Sequence, residues 1–176
     1  MAVLSKILLI GGNGYIGSRL HNYLDVNRDK LIIDQFVSNY DVDVIDTNWF
    51  GDRDLHWWGD YKDLSSEYYE PYDIIILLAG HSSVKMSEGN LNSCFNNNVR
   101  NFIDLIEKLD KQKLIYASSS SVYGSVGGKT VNEKYYGFEP YNQYDISKHT
   151  ADLYAQKSDV EYYGLRFGTV NGCSPV

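Results

Sequence analysis

Apolar residues along this chain fall into two recurring patterns. Some form short unbroken runs: Lys6–Ile10 ends in Ile7-Leu8-Leu9-Ile10, and Tyr72–Ala79 holds Ile74 through Leu78 without a polar break. Runs of this length predict strands covered on both faces, as in a parallel sheet. Leu31–Val37, Lys113–Ala117 and Glu161–Phe167 read the same way, with Leu55–Trp58 as a shorter strand. Other segments repeat with helical spacing. Tyr15–Val26 places Ile16, Leu20 and Leu24 at i, i+4 and i+8, and Leu91–Leu109 carries a stripe of Phe95, Val99, Phe102, Ile103 and Ile106. Both predict helices. Asp63–Tyr69 predicts a brief helix, and Glu139–Asp159 contains another that starts near Tyr141. Ser38–Arg53 shows neither pattern and reads as irregular, with Asp41, Asp43 and Asp46 on a solvated face.

The junction between the first strand and the first helix carries chemistry. Gly11-Gly12-Asn13-Gly14-Tyr15-Ile16-Gly17 places glycines at positions 11, 14 and 17. Glycines permit a tight turn and a close approach of backbone to a pyrophosphate, and the free N–H groups of a helix N-terminus meet its charge. With the strand–helix alternation, this loop predicts an α/β fold: a Rossmann-type doubly wound parallel sheet flanked by helices, with right-handed crossovers. Asp34, within the run Leu31–Val37, lies about twenty residues beyond the loop, where a carboxylate can accept hydrogen bonds from both adenosine-ribose hydroxyls. Gln35 follows it rather than an arginine that would welcome a 2′-phosphate, which favours NAD over NADP.

Two later segments supply reactive groups. Lys113–Ala117 runs into Ser118-Ser119-Ser120-Ser121-Val122-Tyr123-Gly124, and the last helix holds Tyr144 and Lys148 four residues apart, on one helix face. A free tyrosine titrates near ~10, too high for an efficient base at neutral pH. A nearby ammonium favours the phenolate, and a serine hydroxyl can hold the reacting alcohol. Together these parts suit proton removal coupled to hydride transfer.

Composition sets bounds on this picture. The chain has 176 residues, favouring one domain over 1–176, and is 43% hydrophobic with 22% charged residues, which suits a globular core rather than disorder. Its formal net charge of −7 argues against nucleic-acid binding, which needs a basic patch. Cys94 and Cys173 lie too far apart for a metal motif and read as ordinary thiols. No signal-peptide pattern opens the chain and no apolar run reaches membrane-spanning length, so the expectation is a soluble cytoplasmic protein. The 16 tyrosines mostly read as surface and half-buried packing.

These residues resemble the extended short-chain dehydrogenase/reductase family, and within it the nucleotide-sugar epimerases. The likeness rests on Gly11–Gly17, Asp34, Gly59-Asp60, Leu78-Ala79-Gly80, Asn98-Val99, the serine run, Tyr144 with Lys148, and Leu165-Arg166-Phe167. It implies that Gly11, Gly14, Tyr15, Ile16, Gly17, Asp34, Leu78, Ala79, Gly80 and Phe167 contact NAD, with Asp60 on the adenine amine. It further implies Ser119 and Tyr144 as catalytic hydroxyl and base, Lys148 on the nicotinamide ribose, and Asn98 supporting the active-site helix and its water. Tyr116 to Gly124 is similar to UDP-glucuronate and UDP-glucose 4-epimerases. The sugar dehydratases carry Asp-Glu, and the decarboxylases a glutamate, where this chain has Ser120 and Ser121. The implied reaction is a redox-neutral inversion at C4 of a UDP-sugar through a 4-keto intermediate. Competing readings are a non-catalytic NAD-binding module and a nucleotide-sugar reductase. The resemblance also implies a C-terminal substrate lobe beyond these 176 residues, and a homodimer through the two long helices.

Weaker candidates remain. His81, Ser82 and Ser120 are candidate substrate contacts, an ordinary loop histidine being the competing reading for His81; Ser83 shares the Ser82 loop. Trp57 and Trp58 read as buried in a strand rather than as an aromatic platform, and His21, His56 and His149 receive no role. No metal site is expected.

Overall fold

The computed structural model describes residues 5–27, 32–33, 36–37, 40–47, 58–135 and 139–172. Five parallel strands form the main sheet in the order β4-β1-β5-β6-β7: β1 is Ser5–Ile10, β4 Tyr40–Ile45, β5 Ile74–Leu77, β6 Lys113–Ser119 and β7 Tyr162–Phe167. Two short strands, β2 (Ile32–Ile33) and β3 (Phe36–Val37), pair antiparallel with each other outside it. Helix α1 is Tyr15–Val26, α2 Ser66–Tyr69, α3 Val84–Glu88, α4 Leu91–Phe95, α5 Asn101–Ile106 and α6 Gln143–Lys157.

The unbroken apolar runs have their explanation in a sheet covered on both faces. Leu8 and Ile10 of β1, Ile75 and Leu77 of β5, and Leu114 and Tyr116 of β6 pack with Phe102, Leu105 and Ile106 of α5 and Ala151 and Ala155 of α6. Their alternates Ile7, Leu9 and Ile76 pack with Val42 and Val44 of β4 and with Leu24 of α1. Successive side chains of a strand point to opposite faces, so both faces must be apolar. This is the doubly wound arrangement expected. The chain winds one way from β1 to β4 and the other way to β5, leaving a crevice at the C-terminal ends of β1 and β5.

The second strand of the sheet is not where the apolar run placed it. Leu31–Val37 contributes only β2 and β3, while β4 emerges from the segment expected to be irregular and pairs with β1 from Ser5↔Tyr40 to Ile10↔Ile45. Its sequence, Tyr-Asp-Val-Asp-Val-Ile, alternates: Tyr40, Val42 and Val44 are buried, while Asp41 and Asp43 are half-buried on the other face. Asp43 accepts a hydrogen bond from Tyr72 Oη at 2.9 Å, so these acids are not a solvated loop. Beyond β4, the described residues hold a single parallel bridge, Asp46 to Trp58. Trp58 is 78% exposed, contrary to its expected burial, and Nε1 donates to the Thr47 carbonyl. Trp57, His56 and Cys173 lie outside the described residues, whereas Cys94 is buried.

The expected long helix is helical over Leu91–Ile106, but a π-helical stretch, Asn96–Arg100, separates α4 from α5. The brief helix resolves into a 3-10 turn at Tyr61–Asp63 followed by α2. No helix among the described residues is long and apolar enough to cross a membrane.

Candidate active site

The glycine loop closes the end of β1. Gly11 N donates to Ile45 O at 2.9 Å and Gly14 N to Gly11 O at 3.2 Å. Gly11 has φ of +89°, a conformation that side chains disfavour. At Gly17 a Cβ would lie 2.1 Å from Gly11 O, so the first turn of α1 packs directly on the loop. Gly14 is the N-cap of α1 and no side chain caps the helix, so its first N–H groups are not engaged by a capping side chain. Tyr15 and Ile16, half-buried, open the helix.

A carboxylate does stand beside this loop, but it is Asp46. It follows the last residue of β4, and its Oδ2 accepts from the Asn13 backbone N–H at 2.8 Å. Asp34 lies outside the described residues. The spacing rule found the nearest acid after an apolar run, whereas pairing with β1 decides which strand end meets the loop. The alternation of Tyr40, Val42 and Val44 was the available signal. Asp60 caps the 3-10 turn by accepting from Lys62 N, and pairs with Lys62 Nζ at 2.8 Å.

Across the crevice, Leu78 and Ala79 leave β5 with both backbone N–H groups donating to Ile10 O, at 2.8 and 3.1 Å. Gly80 and His81 follow. Asn98, buried in the π-helical stretch, clamps this loop: Oδ1 accepts from His81 N at 2.8 Å, while Nδ2 donates to His81 O and to Ser147 Oγ, both at 3.1 Å. Ser147 in turn donates to Tyr144 O at 2.7 Å. Asn98 thus ties the end of β5 to the first turns of α6. Neither Ser147 nor the neighbouring Asn97 was singled out in sequence. Three successive asparagines, 96 to 98, interrupting an apolar stripe were the signal.

Ser119 ends β6, Tyr144 lies in the first turn of α6 and Lys148 one turn later, each at least nine-tenths buried. Ser119 Oγ accepts from Ser121 N at 3.2 Å and lies 2.9 Å from Ser121 Oγ. Lys148 Nζ donates to Ala117 O at 2.8 Å and sits 6.0 Å from the centre of the Tyr144 ring. Burial pulls the lysine down from its ordinary value to about 8. The phenol does not show the expected depression. Burial raises Tyr144 above its ordinary value, and the hydrogen-bonded Ser119 hydroxyl only partly opposes this. The ammonium is directed at a backbone carbonyl rather than at the phenol oxygen.

The other candidates are less committed. Ser82 Oγ contacts Met86 Sδ at 3.4 Å, Ser83 caps α3, and Ser120 is exposed at the turn after β6. Phe167, half-buried, ends β7 in register with Ser119. A cavity of about 450 Å³ lies apart from all of these, walled by Tyr116, Tyr123, Glu133 and Leu165. Its charged pair is structural: Arg166 Nε donates to Asp152 Oδ2 at 3.0 Å, and Asp152 Oδ1 accepts from Tyr116.

A glycine loop at a helix N-terminus facing a serine, tyrosine and lysine across the crevice defines a dinucleotide-dependent class of protein. Residues 7–176 match the NAD dependent epimerase/dehydratase family, and the chain belongs to that family. It is similar to UDP-glucose 4-epimerase of Mycoplasma genitalium, 29% identical over 96% of this chain and 53% of that protein. Protein CapI of Staphylococcus aureus is also 29% identical, over 95% of this chain and 54% of CapI. Among solved structures, Thermus thermophilus UDP-glucose 4-epimerase in complex with NAD superposes with a TM-score of 0.72 at 23% identity, covering 92% of this chain and 54% of that one. The NAD-dependent NDP-hexosamine 5,6-dehydratase TunA gives 0.80 at 21% identity, covering 97% and 56%. This chain spans about half the length of the curated relatives it matches.

Proposed function

We propose that this chain is the cofactor-binding and proton-transferring part of an NAD-dependent nucleotide-sugar 4-epimerase. The observation that carries the reading is the convergence of Ser119, Tyr144 and Lys148 at the C-terminal end of the same sheet as the glycine loop. The residues fit NAD: glycine at 17 lets the first turn of α1 pack directly on the loop, and the absence of a side-chain cap on α1 leaves its N–H donors to a pyrophosphate. Gly11, Gly14 and Gly17 with the start of α1 would hold the pyrophosphate, and Asp46 takes the ribose role first read at Asp34. NAD, when bound, supplies the two-electron acceptor that makes the 4-keto sugar, the donor that reverses it, and a cationic ring that favours the phenolate.

Tyr144 Oη removes the proton from the sugar 4-hydroxyl and later returns it. Ser119 Oγ holds that hydroxyl against the phenol, and Lys148, anchored on Ala117 O, orients the ribose side of the cofactor. Ser120 and Ser121 replace the acids a dehydratase would use, which supports epimerisation over dehydration. A homodimer through α4–α5 and α6 belongs to the same reading, supported by exposed Leu91, Phe95, Ile146 and Leu153. Supplied with NAD and a UDP-sugar, the protein is expected to form the 4-epimer with no net NADH. Tyr144→Phe should lower turnover by about 10²- to 10⁴-fold while NAD binding persists. A dehydrated product or stoichiometric consumption of reduced cofactor would overturn the epimerase reading. Absence of turnover with every UDP-sugar, with NAD binding intact, would leave a binding module.

A further inference from the structure

His81 is held more deliberately than a loop histidine needs to be. Its backbone is clamped on both sides by Asn98, as described above. Its ring is held separately. Asn101 Nδ2 donates to Asn97 Oδ1 at 3.3 Å, which turns the Asn97 amide so that Nδ2 faces His81 Nδ1, also at 3.3 Å. An amide nitrogen only donates, so Nδ1 accepts and the ring proton resides on Nε2. Nε2 meets no hydrogen-bond partner among the described residues. The π-helical stretch makes the arrangement possible by presenting Asn97 and Asn98, neighbours in sequence, to the ring and the backbone of one residue. Partial burial and the Lys148 ammonium both hold the imidazole below its ordinary value, which favours the neutral ring. Asn98 also joins the His81 loop to Ser147 of α6, the helix that carries Tyr144 and Lys148.

We propose that His81 is a binding residue whose Nε2–H, fixed by the Asn101–Asn97 relay, donates to an oxygen on the nicotinamide-ribose half of NAD. The inference rests on the cofactor reading above, but not on epimerisation. A donor whose tautomer and backbone are set beforehand binds without the entropy loss of an unrestrained ring, which is the physical use of such a relay.

The test uses the whole chain, with His side chains ¹⁵N-labelled. The NMR spectrum of the free protein should show the Nε2–H tautomer at His81, and NAD should shift that proton while AMP leaves it in place. By calorimetry, His81→Phe should weaken NAD about tenfold, the loss of one well-placed hydrogen bond, with AMP affinity unchanged. Asn97→Leu, which frees the ring without removing it, should give an intermediate loss. Equal weakening with ADP-ribose places the acceptor on ribose or phosphate, and weakening confined to NAD places it on the carboxamide; both support the proposal. An Nδ1–H tautomer, unaltered NAD affinity in His81→Phe, or equal losses for AMP and NAD would overturn it. If wild type binds neither NAD nor AMP, the cofactor reading itself fails. If NAD binds and no sugar is epimerised, only the epimerase reading fails.

Discussion

Asn98 offers the sharpest test of how the site is assembled. The residue is 5% exposed and makes three good hydrogen bonds, two to the backbone of His81 and one to Ser147 Oγ. Asn98→Ala removes all three and leaves the His81 N–H, the His81 carbonyl and the Ser147 hydroxyl short of a partner. Each orphaned buried group costs about 1–3 kcal/mol, but His81 is half-buried and water can reach part of its backbone. Taking the low end for each gives about 3 kcal/mol. For a protein of this size that lowers the melting midpoint by roughly 6–12 °C. Urea denaturation followed by circular dichroism should show the loss as a lower midpoint at unchanged slope. Ser147→Ala removes the far end of the same bridge, so the double variant should lose less than the two singles combined, by about 1 kcal/mol. A single-variant loss below about 0.5 kcal/mol, or strict additivity, would refute the claim that Asn98 couples the end of β5 to α6.

Three further outcomes follow from the same geometry. Gly17→Ala forces a methyl to within 2.1 Å of Gly11 O and should both destabilise the fold by about 1–3 kcal/mol and weaken NAD in calorimetry, whereas Gly89→Ala, which meets open space, should do neither. Lys148 titrates near 8 when folded against an ordinary 10.5, so the unfolded chain holds the extra proton between those limits and stability rises with pH across them. Lys148→Met should therefore stabilise the cofactor-free protein near pH 7, by up to about 3 kcal/mol less the cost of the orphaned Ala117 carbonyl, and its advantage over wild type should vanish above about pH 10.5; an advantage that grows with pH would contradict this. Asp152→Ala removes the partner of Arg166 Nε and of the Tyr116 hydroxyl, while Arg166 keeps the Glu133 carbonyl, and should cost about 1–3 kcal/mol in urea, part of which Asp152→Leu with Arg166→Met recovers; a loss below about 0.5 kcal/mol would mean that the pair is incidental.

Much of this molecule follows from the amino-acid sequence. The runs Ile7–Ile10 and Ile74–Leu77 lie in strands, because a sheet covered on both faces buries unbroken apolar side chains. The glycine loop, with Ser119, Tyr144 and Lys148, was legible because each motif is local: a strand-to-helix turn, a strand end, and one turn of a helix. What pairs with what was not legible. Strand β4 hides in an alternating acidic segment because one of its faces holds Asp41 and Asp43, and it displaces the more apolar run that carries Asp34. Which carboxylate meets the glycine loop therefore depends on strand order, which local composition does not encode. The protonation of the site belongs to the tertiary structure as well. Spacing brings Tyr144 and Lys148 onto one face, but burial raises the phenol and lowers the lysine, and Ala117 O takes the ammonium. Desolvation depends on what every packed element excludes, so the four-residue interval alone determines proximity, and the assembled sheet and helices decide charge.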